Sequence, residues 1–147
     1  MDIAHIEADL VAAMKARDAV TLGTLRMLVA RLKNEKIASS SGDLSSEDVL
    51  RVIQSECKRR KEAAAEFVSG GRAELAEQEL AEAAILEKYL PKQATEEELR
   101  AVVVELHAQH SWSVKDMGAA IKAVKDRFGA AADGALVARI VKETLNA

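Results

Sequence analysis

Apolar residues recur along most of this chain at intervals of three and four, the spacing that puts them on one face of an α-helix. Ile3, Ile6, Leu10, Ala13 and Met14 form the first such stripe, with Asp2 ahead of it as a cap. Asp18 caps a second, longer helix with Leu22, Leu25, Leu28, Val29 and Leu32 inward and Arg26, Arg31, Lys33 and Lys36 outward. The Ser/Gly-rich stretch from Ala38 to Asp43 reads as a turn between antiparallel helices. Ser45 and Asp48 then have the capping-box spacing and start a third helix with Val49, Val52, Ile53, Cys57, Ala64 and Phe67 inward. Gly70 and Gly71 stop it.

A fourth helical pattern runs from Arg72 with Leu75, Ala76, Ala83, Leu86 and Leu90 as its stripe, and it meets Pro91, the only proline. Proline lacks an amide hydrogen and disfavours helix in the residue before it, so this helix ends at or before Leu90. Thr95 and Glu98 repeat the capping-box spacing at once. Tyr89, Leu90, Pro91, Lys92 and Gln93 therefore form a joint, expected to act as a hinge. Beyond it, Leu99, Val102, Val103 and Leu106 line a fifth helix that fades at His110, and Ser111 to Ser113 form a turn around Trp112. A sixth helix buries Met117, Ile121 and Val124 and stops at Gly129; Asp133 and Gly134 open a seventh through Leu136, Val137, Ile140, Val141 and Leu145. The pattern predicts an all-α fold: an N-terminal four-helix bundle over residues 1–91 joined to a small three-helix tail domain over residues 92–147.

Composition agrees with that pattern: 49% of the residues are hydrophobic but only 3% aromatic, so the cores must be built from aliphatic side chains. No apolar run approaches the roughly 20 residues of a membrane span, and the N-terminus has no basic-then-apolar signal pattern. The expectation is a cytoplasmic protein with no membrane partner.

Charge changes the picture more. The net charge of -3 conceals alternation along the chain. Residues 15–61 carry +5, residues 62–98 carry -7 and residues 99–142 carry +3. Two basic segments flanking an acidic helix permit contact with a polyanion. Lys58, Arg59, Arg60 and Lys61 are consecutive, so they spread around their helix, and one or two are expected to pair with Glu62, Glu66 or the acidic fourth helix. Such pairs at the surface are worth only about 0 to 1 kcal/mol each.

Candidate chemistry is sparse. Cys57 is alone, which excludes an internal disulfide or a multi-cysteine metal site; its basic neighbours could activate it, but a half-buried helix cysteine is the expected state. His5, His107 and His110 lack companions at metal-ligand spacing. No nucleophilic triad, P-loop or dinucleotide turn is present. The residues argue for a binding module with no catalytic residue, metal or cofactor of its own.

Several blocks together carry a family resemblance. They are Met14-Lys15-Ala16-Arg17-Asp18, Thr24 to Leu28 with Lys33 and Asn34, Lys61-Glu62-Ala63, Gly71-Arg72, Tyr89 to Gln93, Lys115-Asp116-Met117-Gly118 and Ala132-Asp133-Gly134. In this order and spacing the chain resembles YqeY-like proteins along nearly its full length. The resemblance implies kinship with the tail region of the B subunit of the tRNA-dependent amidotransferase and with the appendage of some bacterial glutaminyl-tRNA synthetases. It implies an auxiliary tRNA-binding domain that touches the outer corner of tRNA, the amide chemistry residing in other domains. Its RNA contacts would be Lys115, Gly118, Lys122, Lys125, Arg127, Gly134, Arg139 and Lys142, with backbone amides offered by the helix starts at Asp116-Met117-Gly118 and Ala132-Asp133-Gly134. Ala119, Ala131 and Ala135 stand where the family often has basic residues. Two alternatives follow from the same kinship: a protein interaction module docking on an amidotransferase or glutaminyl-tRNA synthetase, and, by family association, a carbon-nitrogen ligase using glutamine as amido donor.

Overall fold

The computed structural model describes residues 1–147, all of them helix or short connection. Seven α-helices follow one another: α1 (Ile3–Ala16), α2 (Ala19–Ala38), α3 (Ser46–Ser69), α4 (Ala73–Glu87), α5 (Glu96–His110), α6 (Met117–Phe128) and α7 (Gly134–Leu145). The chain divides into two compact units, Met1–Leu90 and Pro91–Ala147.

In the first unit the capping chemistry falls where the sequence puts it. The Asp2 carboxylate accepts from the His5 amide at 2.9 Å, and Asp18 accepts from the Thr21 amide at 3.1 Å and the Thr21 hydroxyl at 2.6 Å. Ser45 and Asp48 close a reciprocal box at the start of α3. Between α1 and α2 only Arg17 and Asp18 remain, and Arg17 makes the reversal with a left-handed backbone, φ 58°. The core joins Ile6, Leu25, Leu28, Val29, Leu32, Val49, Ile53, Cys57 and Leu86, with Tyr89 and Leu90 packed against it.

Two stripe positions depart from expectation. Met14 is 49% exposed and Leu75 37% exposed. Each lies one residue, or about 100° of helix, from a buried alanine, Ala13 and Ala76, and the small residue takes the inward position. Thr24 reads as polar yet is buried, because its hydroxyl donates to the Val20 carbonyl of its own helix at 2.8 Å.

The buried alanines let α3 and α4 approach closely, and their hairpin is the most extensive helix pairing in the molecule. Ala64, Ala76 and Ala83 are all buried. Into the same seam goes Arg60, whose side chain is only 9% exposed. One guanidinium nitrogen donates to both Glu79 and Glu82 of α4, and the other lies 3.8 Å from the Met27 sulfur of α2. Its buried Nε has no partner. Lys61 also pairs across the hairpin, with Glu87. Arg59, by contrast, pairs with Glu56 of its own helix and is 63% exposed.

The second unit packs α5, α6 and α7 around Leu99, Val103, Leu106, Ala120, Val124, Ala132, Val137, Ile140 and Val141. Thr95 and Glu98 form the expected box, at 2.8 and 3.1 Å. A 3-10 turn, Val114–Asp116, precedes α6, in which Ala120 is buried beside Val124 while Met117 and Ile121, expected inward, sit at the core edge. Gly129, at φ 58°, turns the chain into a second 3-10 segment, Gly129–Ala131, before α7.

Replacing Arg60 by Ala is expected to lower unfolding stability by about 3 kcal/mol, since it strips two partly buried carboxylates of their partner and opens the seam. Arg59→Ala, removing an exposed pair, is expected to cost no more than about 1 kcal/mol. Urea unfolding followed by circular dichroism compares the two, and equal midpoints would show that the buried pair adds nothing.

Candidate nucleic-acid interface

The eight tail residues singled out from sequence separate into two groups. Gly118, Lys122 and Lys125 follow one another at intervals of four and three, so they share one face of α6, with Lys115 in the 3-10 turn just before it. Gly118, Lys115, Lys122 and Lys125 are all exposed. The strip runs to the start of α7, where Lys125 lies across Gly134: a Cβ built on Gly134 would meet the lysine Nζ at 3.4 Å. Lys122 shares its charge with Asp126 at 3.0 Å on the same solvated surface.

Other cations are drawn elsewhere. Arg139 reaches Glu96 of α5 at 3.0 Å and Glu143 of its own helix at 4.0 Å, while Arg100 holds the same two carboxylates at 2.8 and 3.0 Å. Hydrogen bonds from Arg100, reinforced by the charge of Arg139, hold the Glu96 carboxyl below its ordinary range. Arg127 faces Glu105 of α5 at 3.5 Å. Lys142 is exposed on the last turns of α7. The compact unit also includes Glu96, Glu97, Glu98 and Glu143, outside the basic window 99–142, so its eight Lys and Arg are matched by eight Asp and Glu.

Nor is the start of α7 an open cradle for an anion. At the start of α7 the Asp133 carboxylate accepts from the amides of Ala135 and Leu136, at 2.9 and 3.3 Å. Before α6, Asp116 accepts from the Ser113 amide at 2.8 Å, and its own amide is bound to the Ser113 carbonyl. A phosphate arriving at the start of α7 would face a carboxylate already holding the donors, whereas Asp116 caps none of the first amides of α6. Lys115 and Lys125 are the lysines of the strip that no carboxylate holds, while Lys122 would have to exchange Asp126 for a phosphate.

The five joint residues divide between the units. Tyr89 donates its hydroxyl to the Asp9 carboxylate of α1 at 2.5 Å, and burial together with that bond raises the phenol pKa above its ordinary value. Leu90 packs on the first core. Beyond Pro91 and Lys92, the Gln93 side-chain amide donates to the Ala130 carbonyl at 3.0 Å and to the Pro91 carbonyl at 3.3 Å, and the Ala94 amide donates to Ala131 at 2.8 Å.

The turn around Trp112 was expected from the sequence, but the ring stack it makes was not. Ser111, with a left-handed backbone at φ 51°, folds the chain back at the end of α5, and Trp112 lands against His110 with ring centroids 5.2 Å apart and planes 10° from parallel. His107 lies on it less squarely, at 6.5 Å and 29°. Trp112 also packs on the second core. The local signal was only a tryptophan two residues past a helical histidine.

Two open surface clefts, of about 240 and 360 Å³, occur in the first unit; the larger is lined by His5, Asp9, Thr21, Lys88 and Tyr89 among others. No group of three or more His, Cys, Asp or Glu side chains is placed to hold a metal ion. Cys57 is buried against the Ala83 carbonyl, and desolvation, then the nearby Glu87 charge, pushes its thiol up to about 11 despite the neighbouring cations. Because the folded-state pKa lies above the unfolded one, the thiol's contribution to stability is complete below about pH 9 and fades as pH rises toward 11. Cys57 is therefore expected to resist iodoacetamide at pH 8 in native protein and to react on adding urea; rapid native labelling, read by mass spectrometry, would contradict the buried assignment.

Comparison with known proteins places this geometry in a family. The family model described as Yqey-like protein matches residues 3–145. Four relatives carry the name "Altered inheritance of mitochondria protein 41, mitochondrial". That of Kluyveromyces lactis is 37% identical over 71% of this chain and 57% of its own length. That of Lachancea thermotolerans is 31% identical over the same shares, and that of Eremothecium gossypii 28% identical over 88% of this chain and 81% of its own. The matched part of the chain thus spans little more than half of the first two relatives. Their mitochondrial names overturn the expectation of a cytoplasmic location, which rested on the absence of a signal pattern and an apolar span; such absences specify no compartment. No helix is long and apolar enough to cross a membrane. On the match over nearly its whole length, the chain belongs to the YqeY-like protein family.

Proposed function

We propose that this chain is an auxiliary RNA-holding domain that meets the outer corner of tRNA and contributes no reaction centre of its own. The observation that carries the proposal is the exposed α6 strip of Lys115, Gly118, Lys122 and Lys125, which ends over Gly134. Folded RNA is recognised by shape and through phosphates and 2'-hydroxyls, so a helix face with small and cationic residues suits it. Side-chain cations spaced by one or two helical turns can follow a sugar-phosphate backbone, and Gly118 leaves room for the strand to approach. The kinship with amidotransferase and synthetase tails supports tRNA as the RNA and a glutaminyl-tRNA synthetase or amidotransferase as the enzyme served.

The net neutrality of the second unit bears on strength. With about three phosphate contacts, binding would be weak and would show a log-log salt slope of roughly 2 to 3. Docking on a protein partner is a second reading, favoured by the exposed Val20 and Met27, which lie two turns apart on α2 at 51% and 61% exposure. A pull-down that survives RNase treatment would support it.

Lys125→Glu is expected to weaken tRNA binding several-fold at low salt and to reduce the salt slope by about one unit, whereas Arg139→Glu, at a cation already held by carboxylates, is expected to change the slope little. Mobility-shift titration measures both. Binding of the unaltered chain no stronger than that of a neutral helical control would sink the proposal.

A further inference from the structure

We infer that the Trp112–His110 stack is a platform for an unpaired base of the bound RNA, extending the α6 strip beyond its lysines; this rests on the RNA-holding function proposed above. One face of the His110 ring lies nearly parallel to the indole of Trp112, 5.2 Å away. The residue is exposed at the end of α5.

The support beneath the histidine is fixed. Trp112 packs on the second core, also lies against His107, and follows the left-handed turn at Ser111. A non-glycine residue in that conformation costs energy that ordinary loop connection does not require. Here it turns the chain back at the end of α5, and the indole lies against His110. The result is an exposed aromatic ring already stacked on one side.

Its neighbourhood is that of a nucleotide site. Lys115 follows Trp112 by three residues and is exposed in the 3-10 turn that opens α6, so the chain passes from the platform to the head of the strip within one turn. Flat aromatic faces accept unstacked bases of any identity, while adjacent lysines hold the backbone. Sequence-tolerant recognition of single-stranded loops by stacking is the usual complement to phosphate contacts on folded RNA. A fully paired helix offers no base to the platform.

Trp112 is the only tryptophan, so its emission reports on this place alone. The test titrates the full chain with tRNA and with a fully paired RNA duplex of similar length, reading Trp112 fluorescence and mobility shift together. tRNA is expected to quench the emission and the duplex to bind without quenching. His110→Ala is expected to weaken tRNA binding about tenfold at fixed salt, with the salt slope and duplex affinity unchanged, and His110→Phe to restore it. If His110→Ala binds tRNA as the unaltered chain does while Lys125→Glu still weakens it, the platform is overturned and the lysine strip stands. If the unaltered chain binds no tRNA, both proposals fall.

Discussion

A guanidinium held inside a seam of alanines is the contact on which the first unit depends. Ala64, Ala76 and Ala83 bring α3 and α4 close, but small residues alone leave little apolar surface to bury. Arg60 fills the seam and ties it electrically to Glu79 and Glu82, and its far end touches Met27 of α2. A buried charge of this kind is costly unless its partners arrive in the right place, so the pairing fixes the register of the hairpin as much as it holds it. The cores on either side of Pro91 need no such device, because Leu, Ile and Val supply apolar burial without a demand for partners.

Much of this was written plainly in the chain. All seven helices, the caps at Asp2, Asp18, Ser45, Thr95 and Asp133, and the stop at Gly129 follow from periodicity and local chemistry, because each involves residues within a few positions of one another. What sequence could not separate was which of four adjacent cations turns inward. Lys58, Arg59, Arg60 and Lys61 are equivalent as letters, and only the placement of Glu79 and Glu82 on a second helix selects Arg60. The same limit explains Met14 and Leu75: a stripe has an edge, and a neighbouring alanine decides on which side of it a residue falls.

The candidate interface was legible as a list and not as a surface. Lys115, Gly118, Lys122 and Lys125 share a helix, so their spacing already placed them together. Arg127 and Arg139 read as the same chemistry, yet Glu105 and Glu96, distant in sequence, claim them. The start of α7 looked like an anion cradle until the acidic cap that makes it a helix start was seen to occupy the amides. A good N-cap and an open phosphate site compete for the same donors, and here the cap prevails.

The bonds at the head of the second unit have a mechanical consequence. Gln93 and Ala94 hold the carbonyls of Ala130 and Ala131, the turn that joins α6 to α7. A pull on the chain entering this unit is therefore delivered first to that turn and not to α5, whose own start is closed by Thr95 and Glu98. Ala132 beside the turn is part of the core, and Gly134 under Lys125 lies two residues further. Tension at Pro91 would be felt at the end of the lysine strip, while the aromatic stack at the far end of α5 would be spared it.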